Sequence, residues 1–119
     1  MTKSHVMKIG IASSEQQRRR TLDIAAGRRY VKRGEPKVWF PSLKTAAEVL
    51  DRNRDLIRII CEEQPQSVNE LAQLSGRAES NVSRSLRRLE AYGIVRMVKA
   101  GKQRRPEALA REFDIRMEC

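Results

Sequence analysis

At 119 residues the chain is long enough for one compact domain with a modest core and an appended arm. Aromatic residues make up 4% and charged residues 34%, so a core has to be built mainly from Leu, Ile, Val and Ala. A formal charge of +10 points to a polyanion as partner, with nucleic acid first and an anionic membrane surface or an acidic protein behind it; charge alone does not choose DNA over RNA.

Residues 1–6 lack the apolar region and cleavage site of a secretion signal. Val6-Met7-Lys8-Ile9-Gly10-Ile11 then alternates apolar with small or polar residues, which predicts a short strand. Ser14 followed by Gln17 has capping-box spacing, so a helix of about twelve residues is expected from there to Gly27. Its apolar residues are only Leu22, Ile24, Ala25 and Ala26, too few to hold it in water alone, so it needs a partner surface. Residues 28–36 are a basic connector ending in Gly34-Glu35-Pro36. With ten bases against three acids, residues 1–41 carry +7. Three uses stay open for this stretch: an arm on DNA phosphates, a surface for an acidic partner, or a solvated linker.

Lys37-Val38-Trp39-Phe40 is β-prone and too apolar for water. It is read as a core or dimer contact rather than a platform for bases, because no other aromatic surrounds the Trp. Pro41 breaks it and Ser42 can cap a short amphipathic helix through Leu43, Ala46, Ala47, Val49 and Leu50. Asp51 is a candidate cap for a helix over 52–63 that buries Leu56, Ile57, Ile59, Ile60 and Cys61, with Gln64-Pro65 stopping it. Ser67 and Glu70 form another capping box, followed by the apolar side Val68, Leu71, Ala72 and Leu74 and by Gly76 as terminator.

The next helix, about 79–92, buries Val82, Leu86 and Leu89 and turns Asn81, Arg84, Ser85, Arg87 and Arg88 the other way, with Gly93 ending it. Residues 94–99 read as a strand and 100–103 as the turn of a hairpin, the whole wing covering about 94–110. Leu109, Phe113, Ile115 and Met117 then alternate, predicting strand with one buried face, broken near Ala110-Arg111. Charge is uneven. Residues 77–105 hold nine bases and two acids, a net of +7, whereas 42–76 and 106–119 are each at −2. Two short helices joined by a Gly-containing turn, the second basic on its outer side, form the helix-turn-helix geometry that sets a helix in the DNA major groove.

The run SVNELAQLSGRAESNVSRSLRRLEAYGIV resembles the core of MarR/ArsR-like winged-helix transcriptional regulators. With Phe40-Pro41-Ser42-Leu43, Val49-Leu50, Arg54 and the 56–60 run, it is similar to a group of small prokaryotic DNA-binding regulators, some found beside toxin genes. The resemblance spans roughly residues 35 to 117 and implies a homodimer on two half-sites. The expected fold is therefore mainly α with small β (α+β): a winged helix-turn-helix over 37–119 with an N-terminal strand-helix extension over 1–36. The extension is the candidate for dimerisation or partner binding.

The expected function is a sequence-specific double-stranded DNA-binding transcriptional regulator in the cytoplasm. The alternative is the antitoxin of a toxin–antitoxin pair that binds its toxin and autoregulates its operon. Base edges fall to Glu79, Ser80, Asn81, Ser83 and Arg84, with Asn81 suited to adenine and Arg84 to guanine, and Ser83 usable on a phosphate instead. Arg87 and Arg88 sit further along and suit the backbone. Lys99, Lys102, Gln103, Arg104 and Arg105 reach phosphates or a minor groove from the wing, and Arg77 with the helix-start amides suits a phosphate. Ala78 stands where such regulators put Ser or Thr as N-cap, so the helix starts late or uncapped and the base register can slide by a residue or two.

Catalysis, a cofactor and a metal are not expected. His5 is the only histidine, Cys61 and Cys119 lack ligand spacing and read as free thiols, and there is no Gly-rich phosphate loop. No apolar run reaches the ~20 residues of a membrane span.

Overall fold

A computed structural model describes residues 5–31 and 34–119. Positions 1–4 and the connector residues Lys32 and Arg33, read above as part of the basic arm, lie outside the described residues. The architecture is mixed α and β. Strand β1 (Val6–Ile11) runs into α1 (Ser14–Ala25) and β2 (Val38–Phe40); α2 (Leu43–Ala46) passes directly into a π-helical turn, Ala47–Asp51. Three helices follow, α3 (Arg54–Glu63), α4 (Val68–Ser75) and α5 (Glu79–Ala91), then β3 (Val95–Ala100), β4 (Gln103–Ala108) and β5 (Glu112–Met117).

Two sheets divide the strands. β3 and β4 form an antiparallel hairpin, with Lys99 opposite Arg104 and Ala100 opposite Gln103 at its outer end. The second sheet has the order β2-β1-β5, and both neighbours of β1 run parallel to it. Parallel neighbours need a crossover, and α1 supplies one between β1 and β2. The strand expected in a separate extension therefore pairs within its own chain, and its Ile9 and Ile11 belong to the same core as the helices. Gly10 is required by a close approach: a Cβ there would stand 2.4 Å from the Trp39 ring.

The core gathers Ile9 and Phe40 from the sheet with Val49, Leu56, Leu71, Val82, Leu89 and Ile94, each fully buried. Each such Ile, Leu or Phe contributes about 1.5–3 kcal/mol. Phe40 stacks on Tyr92 with centroids 4.2 Å apart, tying the sheet to the end of α5.

Several local expectations are corrected. The first capping box is Ser13 with Gln16, one residue earlier than expected, and both reciprocal bonds are present. Asp51 does not cap the third helix. The π turn adds a residue to the winding, Arg52 N–H reaches back to the Ala47 carbonyl, and α3 starts after Asn53. At α4 only half of the expected box forms: Glu70 N–H donates to Ser67 Oγ, while the Glu70 carboxylate accepts from Gln66 N–H. Leu74 is exposed, while Leu71 and Ala72 of the same helix are buried. In β5, Ile115 and Met117 are also exposed, so the alternation there is real but its apolar face is only partly covered.

Candidate nucleic-acid interface

At about 100° per residue, Ser80, Arg84 and Arg87 point almost directly away from Val82, Leu86 and Leu89, which are buried. All three outward residues are exposed, and neither arginine has an ion-pair partner among the described residues. Asn81 is exposed on the flank and Ser83 is half-buried. The helix start has no side-chain cap, with Ala78 in extended conformation before Glu79. Its first amides are left without the bond that a Ser or Thr would make.

Arg77 is not available to a phosphate. Its Nε–H donates to Asp55 Oδ2 at 3.1 Å and Nη2 to Asp55 Oδ1 and the Arg52 carbonyl, while Nη1 donates to Asn53 Oδ1 at 3.2 Å and Asn81 Oδ1 at 3.4 Å. A guanidinium has five N–H donors, and here each has an acceptor. Asn53, the one buried polar side chain among the described residues, links this clamp to the π turn through Nδ2–H donated to the Val49 carbonyl at 2.8 Å. Gly76, with φ at +71°, supplies the left-handed residue that turns the chain into the clamp.

Other expected contacts are also committed within the chain. Arg88 lies 3.6 Å from Glu48 of the π turn, a flank tie rather than a free cation. Glu79 accepts from Asn69 Nδ2 at 3.1 Å, joining α4 to α5. On the hairpin, Arg105 is half-buried on the face opposite Lys99 and Arg104, and shares Glu107 with Arg96. Lys99, Lys102, Gln103 and Arg104 are exposed at the hairpin end. Lys99 directly opposes Arg104, a like-charge pair that weakens the hairpin unless an anion sits between them.

The structure therefore brings Ser80, Asn81, Arg84, Arg87, Lys99, Lys102, Gln103 and Arg104 forward as exposed donors. It ties Arg77 and the half-buried Arg105 to acceptors of the chain itself, and leaves Arg88 exposed beside Glu48. Asn53, Asp55, Glu48 and Glu107, which meet those arginines, and Asn69, which holds Glu79, are not singled out by any sequence pattern. Glu107 could have been, since hairpin pairing sets it opposite Arg96. Arg77 and Asp55 are 22 positions apart, a spacing that no local pattern connects.

The N-terminal basic zone is mixed: Lys8, Arg18, Arg19 and Lys37 are exposed without an ion-pair partner among the described residues, whereas three arginines are tied. Arg20 lies over the Trp39 ring at 5.0 Å and pairs with Glu35, Arg29 is 3.7 Å from Glu35, and Arg28 pairs with Asp23 at 2.9 Å. Among the described residues no group of His, Cys, Asp and Glu could hold a metal ion, and no helix is long and apolar enough to cross a membrane. Burial pushes the Cys61 thiol up, partly countered by the nearby Arg111.

A protein-family model described as HVO_A0114 matches residues 42–115, from the Ser42 cap into β5, leaving β1, α1 and β2 outside the match. No curated protein matches the chain.

Proposed function

The chain belongs to the HVO_A0114 family, and we propose that it is a sequence-specific double-stranded DNA-binding transcriptional regulator of winged helix-turn-helix form. In this reading α5 enters the major groove and the β3–β4 hairpin is the wing. The observation that carries it is the outer face of α5. Arg84 and Arg87 stand exposed and without acidic partners among the described residues, on a helix whose other face is locked in the core. The hairpin end extends that surface with Lys99, Lys102 and Arg104.

Binding then has two parts. The free cations neutralise phosphates and release counterions, which makes affinity fall with salt. Ser80, Asn81 and Arg84 read base edges, Arg84 with the forked geometry that fits guanine and Asn81 with the amide that fits adenine. Arg77 holds the Asn81 carbonyl oxygen, so its role is to position that side chain. The open helix start is free to receive a phosphate on its amides.

Selection of bound sequences from a random duplex pool tests the proposal directly. Enrichment of a defined motif supports it. A pool that emerges unenriched after selection at low ionic strength contradicts it.

A further inference from the structure

We propose that the cleft between α1 and the β2-β1-β5 sheet binds a small phosphate dianion, gripped by Lys8, Arg19 and Arg116. The inference goes beyond the nucleic-acid reading and uses a different face of the molecule.

The two faces of β1 differ in chemistry. Ile9 and Ile11 point into the core shared with the helices, so Lys8 and Gly10, which alternate with them, point the other way. On that outer face the register sets Arg116 of β5 on one side of Gly10 and Trp39 of β2 on the other. α1 crosses above, with the Arg20 guanidinium 5.0 Å from the Trp39 ring. A helix laid on a sheet normally seals the layer with apolar side chains, yet no residue of α1 is buried. Between helix and sheet lies a cleft of about 530 Å³. That is within the ~300–1,000 Å³ of small-ligand sites.

The position in the sheet is also one that suits a ligand. All three strands run parallel with β1 in the middle, and the cleft takes in Ile11 and Ala12 where β1 ends. In open parallel sheets the crevice at the carboxyl ends of the strands is the usual binding position.

Donor accounting gives the charge of the occupant. Five bases, Lys8, Arg19, Arg20, Arg29 and Arg116, line the cleft with three acids, Asp23, Glu35 and Glu118, a net of +2. Arg20 and Arg29 share Glu35, and Asp23 is taken by Arg28 from outside the lining. Lys8, Arg19 and Arg116 are exposed and have no ion-pair partner among the described residues. Lys8 Nζ reaches the cleft wall at Gly34, where a Cβ would stand 2.9 Å from it. Arg20 adds a buried donor, Nε–H, that has no acceptor among the described residues. Like charges brought together in this way repel until an anion joins them. A phosphate monoester carries about −1.5 to −2 at pH 7 and has three acceptor oxygens. It matches both the net charge and the three unpaired cations, whereas a single carboxylate leaves half of the charge unmet.

The test is calorimetric titration of the full chain, without DNA and at low ionic strength, with ribose 5-phosphate, inorganic phosphate and ribose. Emission from Trp39, the only tryptophan of the chain, reads the site itself because its ring lines the cleft. Both phosphates are expected to bind saturably, one per chain, with Trp39 emission changing over the same range, and ribose is expected not to bind. Tighter binding of ribose 5-phosphate assigns the site to a phosphate ester, and tighter binding of inorganic phosphate assigns it to the free ion. Lys8→Met and Arg116→Gln should each weaken binding about tenfold or more. Arg18→Gln, on the exposed side of α1 and outside the cleft, should leave it unchanged. Circular dichroism reads folding, and the titrations of the native chain need no variant. Absence of saturable binding of either phosphate through the millimolar range overturns the proposal. So does binding that leaves Trp39 emission unchanged, that Arg18→Gln weakens as much as Arg116→Gln, or that folded Lys8→Met and Arg116→Gln proteins retain in full. None of these results bears on duplex selection, so the two proposals fail separately.

Discussion

The two sides of α5 carry the same residue type and use it in opposite ways. Just ahead of the helix, Arg77 gives all five donors to the chain itself, and on one flank the exposed Arg88 reaches Glu48. On the outer side, Arg84 and Arg87 have no acidic partner among the described residues. Charge counting treats these four arginines alike. Donor accounting separates them into a pair that builds the surface and a pair that the surface offers. The same accounting divides residues 1–41: Arg20, Arg28 and Arg29 are tied to Asp23 and Glu35, while Lys8, Arg18, Arg19 and Lys37 are exposed without an acidic partner among the described residues.

The contrast can be broken most forcefully at Arg84. In the proposed complex, Arg84→Ala costs about 1–3 kcal/mol of operator affinity and relaxes preference at one base pair, with Tm unchanged. Competition titration against single-base operator variants measures both. Arg77→Ala should behave in the reverse sense. It leaves the buried Asn53 oxygen and the Arg52 carbonyl without their donor, costing about 2 kcal/mol of stability, roughly 8 °C in Tm. The slope of log affinity against log salt should not move, which a titration at several salt concentrations reads. A flattened slope in Arg77→Ala would put that guanidinium on a phosphate after all.

Lys102→Ala with Arg104→Ala comes next. Binding to every duplex should weaken about equally and the salt slope should flatten by about 2. The smallest effect is expected from Arg104→Glu. It converts the like-charge pair with Lys99 into an attractive one, so Tm should rise by about 1–3 °C while duplex affinity falls. A stability gain together with a binding loss would show that the repulsion at the hairpin end is kept for a ligand.

Much of the local structure is legible in the chain. Val82, Leu86 and Leu89 at helical spacing mark the buried face of α5, Gly76 and Gly93 mark helix ends, and residues 100–103 hold the hairpin turn. What is not legible depends on distance along the chain. The alternation of β1, β2 and β5 predicts strands but not that β1 runs parallel between the other two, since register is set by partners far away in sequence. Alternation in β5 likewise gives two faces without saying what covers either one, so it predicts Ile115 and Met117 buried where the fold leaves them exposed. Asp51 looks like a cap because nothing local announces a π turn; the extra residue shows only once Arg52 N–H reaches the Ala47 carbonyl. At the candidate site, periodicity identifies Arg84 and Arg87, whereas the tie of Arg77 to Asn53 and Asp55 requires the fold.

The outer face of α5 is tested most directly by fluorescence anisotropy on the selected duplex over a range of salt, comparing the native chain with Arg84→Ala/Arg87→Ala. The five cations of this surface, Arg84, Arg87, Lys99, Lys102 and Arg104, predict a slope of about −4 to −5 for each native chain bound. The double variant should lose about 2 of that slope together with its preference for the selected sequence. A native slope near zero, or a double variant with unchanged slope and preference, would contradict a duplex seated on this helix.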